Sequence, residues 1–284
     1  MAGSISNAFI TMFESEVHQA YQGSSVLAGT VRTRNNVEGS TAKFPKLASS
    51  QASQRTPGTE VVSAGATFST VSASLSDWSV HEYSDIFQQE KVNFDERSEL
   101  AESLGMAIGR RQDQIVIDAL INASAGSTVA NTVVTSGSAG ASDLNVGKII
   151  EAGKKLSAKN VPMSDRHLLI HANSMASLLG DERAVSSDFI QLSGLARGEI
   201  NEFAGFRIHM IGDRDEGGVP IDGSSDRTCV AFHKSAIGLA VGMPPKSEIN
   251  YIPTKTSWLV SAMYSAGAVA VDVNGICDVT CRES

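Results

Sequence analysis

Residues 93–123 read NFDERSELAESLGMAIGRRQDQIVIDALINA. Asn93-x-x-Glu96 resembles a capping box, a pairing in which two side chains satisfy the exposed N–H groups that open a helix. Asp95, Glu96 and Glu99 put negative charge at the positive end of the helix dipole. Leu100, Leu104, Ile108, Ile115 and Ala119, joined by Val116 and Leu120, recur at helical spacing and make one apolar stripe. No proline interrupts the run, so about 30 residues at 1.5 Å each predict a rod of roughly 45 Å. Gly105 and Gly109 lie one turn apart. Each costs about 1 kcal/mol in helix propensity and lets another backbone come close.

Upstream, from Val26 to about Val80, Gly, Ser and Thr dominate. Val71, Ala73 and Leu75 alternate with Ser72, Ser74 and Ser76, and after Asp77 the phase flips to Trp78 and Val80, as a bulge would cause. Val31–Arg34 and Thr41–Leu47 read as the outgoing arm, with Pro45 telling against a helix or a central strand. Between the arms lies the polar stretch Ala48–Gly65. The expectation is a long two-stranded arm with a loose tip, which is not stable alone and needs a surface to lie on. Residues 1–22 carry Ile5, Phe9, Met12, Phe13 and Val17 at helical spacing. A lone helix of that length is marginal in water, so it too must dock.

Downstream, residues 124–142 are a Ser/Gly/Thr-rich connection, and from Asp143 the pattern becomes α/β. A helix is predicted over about 143–159, a buried strand over His167–His171, and a short helix capped by Asn173 and ending at Gly180. Phe206, Ile208 and Met210 alternate as a strand, and an acidic loop runs from Gly212 to Arg227. Strands follow over 228–233, 236–242, 247–252, 257–264 and 268–273, punctuated by Pro244-Pro245 and Gly267. Trp258, Val260, Ala262 and Tyr264 share one face.

Composition narrows the function. The 284 residues carry a net charge of −8, which argues against a whole-chain nucleic-acid binder. Hydrophobics at 42 % supply a core. Three cysteines without metal-ligand spacing suit a reducing compartment. No apolar run approaches the roughly 20 residues of a membrane helix, and the first 31 residues lack the Lys or Arg that opens a secretory signal. A soluble intracellular protein is expected.

Catalytic motifs fail one by one. Gly147-Lys148 lacks the rest of a phosphate loop. Ser40-x-x-Lys43, with Lys255-Thr256-Ser257, has the residues of a Ser–Lys hydrolase, but lies on an extended arm where i and i+3 face opposite ways. His167 and His171 bracket Leu-Leu-Ile instead of a zinc motif and read as strand-end histidines bonded to neighbours. Asp213 and Asp215 hint at a calcium loop, yet Ser224 stands where the bidentate Glu belongs. Cys277 and Cys281 share a strand face and read as structural. No catalytic, cofactor-binding or metal-ligating residue is assigned, and the chain is not expected to be an enzyme.

The chain resembles the major capsid proteins of tailed, most closely short-tailed, bacteriophages, which have the Hong Kong 97-like fold. The resemblance rests on Glu38-Gly39-x-x-x-x-Phe44-Pro45, on Trp78 through Phe87, on Phe94-Asp95-Glu96-Arg97, and on Ala101-x-x-x-Gly105-x-Ala107-x-x-x-Arg111-x-Asp113 with the Ile115–Leu120 run. Phe203-Ala-Gly205-Phe206-Arg207-Ile208 and the Gly-punctuated terminal strands add to it. The resemblance implies an α+β fold with an N-arm (1–27), an extended two-stranded loop (28–83), a peripheral domain with the spine helix (84–140), an α/β axial domain (141–243) and further peripheral strands (244–284). It implies an icosahedral shell of hexamers and pentamers around packaged double-stranded DNA, assembled in the bacterial host cytoplasm. The implied partners are other copies of the chain, a separate scaffolding protein, a portal and a decoration protein, with non-specific proximity to DNA and no membrane.

Residues 24–81 hold five basic groups against three acidic, and residues 84–123 four against eight. The basic arm of one subunit is therefore expected over the acidic helical face of the next, a gain in register and steering more than in affinity. The expected intersubunit contacts are Phe9, Phe13, Arg32, Arg34, Lys43, Phe44, Lys46, Arg55 and Trp78. Three other readings stay open. An encapsulin-like compartment would show a cargo enzyme among its genomic neighbours. A Ser–Lys hydrolase would react with a serine probe through Ser40. A β-rich tail or adhesion protein sits poorly with the long helix.

Overall fold

The computed structural model describes residues 23–58, 60, 63–91, 95–123, 127–134, 140–181 and 201–283. Four strands, β1 (Arg32–Arg34), β2 (Thr41–Leu47), β3 (Phe68–Ser74) and β4 (Ser76–Asp85), lead through one helical turn, α1 (Ile86–Gln89), into the long helix α2 (Glu96–Ala123). Next come β5 (Thr128–Val129), α3 (Val146–Ala158), β6 (Arg166–His171), α4 (Ala172–Gly180), β7 (Glu202–Phe203) and β8 (Phe206–Ile211). The chain finishes with β9 (Asp226–His233), β10 (Ile237–Ile252), β11 (Ser257–Ala270) and β12 (Ile276–Arg282). They form a four-stranded sheet β1-β10-β11-β4, a six-stranded sheet β5-β12-β9-β6-β8-β7 and the two-stranded hairpin β2-β3.

Helix α2 is 28 residues long, about 42 Å at 1.5 Å per residue. Its stripe buries Leu104, Ile108, Val116, Ile117 and Leu120. These share one core with Leu239 and Val241 of β10, with Val260, Ala262 and Tyr264 of β11, and with Leu169, Val230 and Phe232 of the six-stranded sheet. One helix thus locks two sheets together. A second core, with Ile149, Ala152 and Leu156 of α3 and Leu178 of α4, packs against Leu168, Ile170, Cys229 and Val279 of the six-stranded sheet. With both faces covered, β6 is buried at every residue, which is why its centre, Leu168-Leu169-Ile170, is an unbroken apolar run.

Several expectations change. Asn93 of the capping box and all of residues 1–22 lie outside the described residues. Residues 32–34 leave the arm and pair in parallel with Gly238–Ala240 of β10. The phase flip near Asp77 marks a change of sheet, since β3 pairs with β2 while β4 pairs with β11. The cap of α4 is His171, whose ring accepts from the Asn173 N–H. Pro244-Pro245 falls in a register irregularity of one continuous β10, and Gly267 sits inside one continuous β11. Finally, β12 lies between β5 and β9, so the last described strand joins the six-stranded sheet and not the four-stranded one that holds β10 and β11.

Candidate assembly surface

The hairpin follows the alternation of its sequence. Ala42 and Phe44 of β2 and Ala73 of β3 point inward and pack with Ala240 of β10 and Val271, flanked by Val37, Leu75 and Val269. Thr41, Lys43, Pro45 and Leu47 point outward and are exposed. Around this base the Arg34 guanidinium donates to the Lys43 carbonyl at 3.0 Å, Arg32 lies 6.0 Å from the Phe44 ring centre, and Lys46 pairs with Asp272 at 3.0 Å. The structure therefore gathers Arg32, Arg34, Lys43, Phe44 and Lys46 at one place. Phe44 corrects the sequence reading. At 2 % exposure its ring fills the hairpin's own seat and offers nothing to a neighbour.

Beyond the base the hairpin has little to lie on. Leu47 and Phe68 are direct cross-strand partners, and they are 55 % and 73 % exposed. Sequence reasoning missed this pair, although an apolar residue at the end of each polar strand is a readable signal. Arg55 stands apart on the exposed connection. Phe9 and Phe13 lie outside the described residues.

Trp78 sits elsewhere, on β4 opposite Tyr264 of β11. The Arg111 guanidinium of α2 lies 4.1 Å from the indole centre and pairs with Glu216. Burial pushes the Tyr264 phenol up to about 12. The indole Nε1 is buried without a partner among the described residues. Trp78, Ala107, Arg111 and Asp215 line a cleft of about 850 Å³ that also reaches Gly23.

One buried carboxylate organises this side of α2. Asp113 is fully buried and accepts from Ser25 Oγ at 2.8 Å, Val26 N at 2.9 Å and Leu27 N at 3.0 Å. Its fourth partner is Arg214, at 3.1 Å. It thereby ties the segment after residue 22 and the acidic loop to the same turn. Gly109 permits the approach, because a Cβ there would lie 3.1 Å from the Ser25 nitrogen, whereas Gly105 has open space. No local pattern marks an aspartate on a charged helix as buried.

The residues weighed for chemistry are held by their neighbours. Lys148 is fully buried and donates to the carbonyls of Ser142 and Thr280. Burial lowers its pKa, opposed by Cys281 and Asp143. His167 Nδ1 lies 2.9 Å from His209 Nε2. Burial, helped by His209 and Arg207, lowers the His167 pKa to about 4. His171 is bracketed by Asp213 at 3.1 Å and Glu283 at 3.2 Å. Asp213 also meets Arg227 at 3.3 Å, so it already has a cationic partner. The hydrogen bond from Arg227 holds Glu283 below the usual carboxylate range. Cys229, Cys277 and Cys281 are free thiols buried in the second core.

The family model for phage capsid proteins matches residues 5–283. No curated protein matches the sequence. Among solved structures, the capsid of cyanophage P-SCSP1u superimposes with a TM-score of 0.75 at 16 % identity, covering 100 % of this chain and 96 % of that one. The head structure of Helicobacter pylori bacteriophage KHP40 gives 0.78 at 12 % identity, covering 98 % of each chain. A structure from Mycobacterium phage Che8 gives 0.70 at 19 %, covering 96 % of this chain and 97 % of that one. Among the described residues no helix is long and apolar enough to cross a membrane. With its long helix beneath a four-stranded sheet, its α/β unit and its projecting hairpin, this chain belongs to the phage capsid protein family, as a major capsid protein of a tailed phage with the Hong Kong 97-like fold.

Proposed function

We propose that many copies of this subunit tile a closed icosahedral shell around packaged double-stranded DNA, each reaching its neighbours through the segment 1–27 and the β2–β3 hairpin. In this reading residues 84–123 with β4, β10 and β11 are the peripheral domain. Residues 141–236 with β5 and β12 are the axial domain at the centres of hexamers and pentamers. The observation that carries the proposal is the exposed Leu47–Phe68 pair on a hairpin whose outer face no other part of the described chain covers. A monomer has no use for such a pair, and a neighbouring copy would bury it. The role is structural, and the net charge of −8 suits a wall along which DNA slides without sticking. A scaffolding protein and a portal complete the assembly, which takes place in the host cytoplasm.

Lys43 faces outward and sharpens the charge argument, whereas Lys46 is already engaged by Asp272 of its own chain. Reversing Lys43 alone is the cleaner test of an acidic partner surface. The primary test is electron microscopy of the purified chain, expressed with and without a co-encoded scaffolding candidate. Closed shells, or free hexamers and pentamers, are expected. A subunit that stays monomeric under every condition would overturn the proposal.

A further inference from the structure

We propose that two glycines on the four-stranded sheet, Gly238 and Gly267, fix the direction in which the hairpin leaves the subunit, and that this direction decides whether the subunit can join a shell. The second half rests on the proposed function, in which the hairpin engages a neighbour.

Only Ala42, Phe44 and Ala73 of the two hairpin strands are buried, so the hairpin is gripped at its base. Directly beneath, Ala240 and Gly267 are cross-strand partners and Gly238 stands opposite Val269. This face of the sheet points away from α2, since the alternate residues Leu239, Val241 and Ala266 enter the main core. A Cβ on Gly267 would lie 1.9 Å from the carbonyl oxygen of Ser74, the last residue of β3. A Cβ on Gly238 would lie 2.8 Å from Cε1 and Cζ of Phe44.

Neither glycine has a positive φ, so neither is required by its own backbone conformation. Glycine inside a strand weakens it, and close approach of another backbone is one of the few reasons to find it there. At Gly267 a side chain must move backbone, and at Gly238 it must move a ring. The Lys46–Asp272 pair holds the hairpin at a second point. A side chain under the base therefore tilts the hairpin about that anchor, and the connection over residues 48–67 magnifies the tilt.

The test uses the full-length chain under conditions in which the unaltered protein forms shells. Gly267→Ala and Gly238→Ala are each expected to lower the yield of closed shells at least tenfold, while the unassembled subunit keeps its α/β circular dichroism. The decisive member is Gly238→Ala combined with Phe44→Leu. Two independent losses add, whereas relief of a steric clash restores shells above the Gly238→Ala yield. If Gly267→Ala fails to fold, the Gly238 and Phe44 cycle decides alone. Normal shells from Gly238→Ala, or a double variant no better than the single, would overturn the proposal. Replacing residues 48–67 by a two-residue turn separates the two levels. Normal shells from that deletion would sink the role of the hairpin itself. Loss of shells there, with Gly238→Ala assembling normally, would sink only the glycine seat.

Discussion

The six-stranded sheet and the β2–β3 hairpin are opposite solutions to burying a strand. In the sheet, β6 is buried at every position and both faces are covered by helices of the same chain. In the hairpin, one strand of seven residues buries two of them and the other buries one. An isolated two-stranded ribbon is marginal in water, and this one persists because its base is seated on β10 and β11. The first region is finished by its own chain. The second is a connector whose outer half waits for a surface, and the change from one regime to the other falls between Phe44 and Leu47.

Substitutions can break this contrast, and their effects on the unassembled subunit should fall in a definite order. The largest belongs to Asp113→Ala, which leaves Arg214 and three donors around residues 25–27 without their acceptor. Losing one partner of a buried ion pair costs about 3–5 kcal/mol, and urea unfolding followed by tryptophan fluorescence should register it. A Leu168→Ala cavity in the six-stranded sheet should cost about 2–5 kcal/mol by the same assay, and a loss below 1 kcal/mol would mean that the sheet is not the rigid half.

Acid probes the same half more gently. His167 has its pKa lowered from 6.5 to about 4, chiefly by burial, so the unfolded chain takes up the proton first. Its contribution is complete above about pH 6.5 and is lost as pH falls through about 4, on the order of 3 kcal/mol. The pH dependence of unfolding should flatten in His167→Gln. Smaller still, Ala204 has a φ of 49° in the two-residue turn joining β7 and β8. Ala204→Asn should stabilise by about 0.5–1 kcal/mol. At the far end of the series, Leu47→Ser with Phe68→Ser should change subunit stability by less than about 0.5 kcal/mol yet abolish or slow shell formation. A stability loss comparable to Leu168→Ala would show the pair to be core and erase the contrast.

Legibility in the sequence follows the same divide. Helix α2 could be read because an apolar stripe of uniform period needs no outside information, and β6 because Leu168-Leu169-Ile170 is buried on both faces. The pattern alone predicts breaks in β10 at Pro244-Pro245 and in β11 at Gly267, residues that ordinarily punctuate. Here the prolines are accommodated by an irregular register, and the glycine by the backbone of Ser74 lying against it. The burial of Phe44 is not legible locally, because its seat on Gly238 lies nearly two hundred residues along the chain. Asp113 escaped because burial of a charge depends on Ser25 and Arg214, which no pattern local to the helix mentions. Local periodicity reveals elements, while long-range partners decide which of their faces are free.

The place of β12 has a consequence for timing. It is an interior strand, hydrogen-bonded to β9 on one side and β5 on the other, yet it follows every other described strand in the chain. While a ribosome is still translating residues before 276, β9 has an open edge and β5 has no neighbour. The α/β unit cannot close until Ile276–Arg282 has emerged from the exit tunnel, and pairing over so long a sequence separation is slow. A subunit truncated before Ile276 therefore leaves β9 and β5 unpaired, and under the proposed function it would not join the shell.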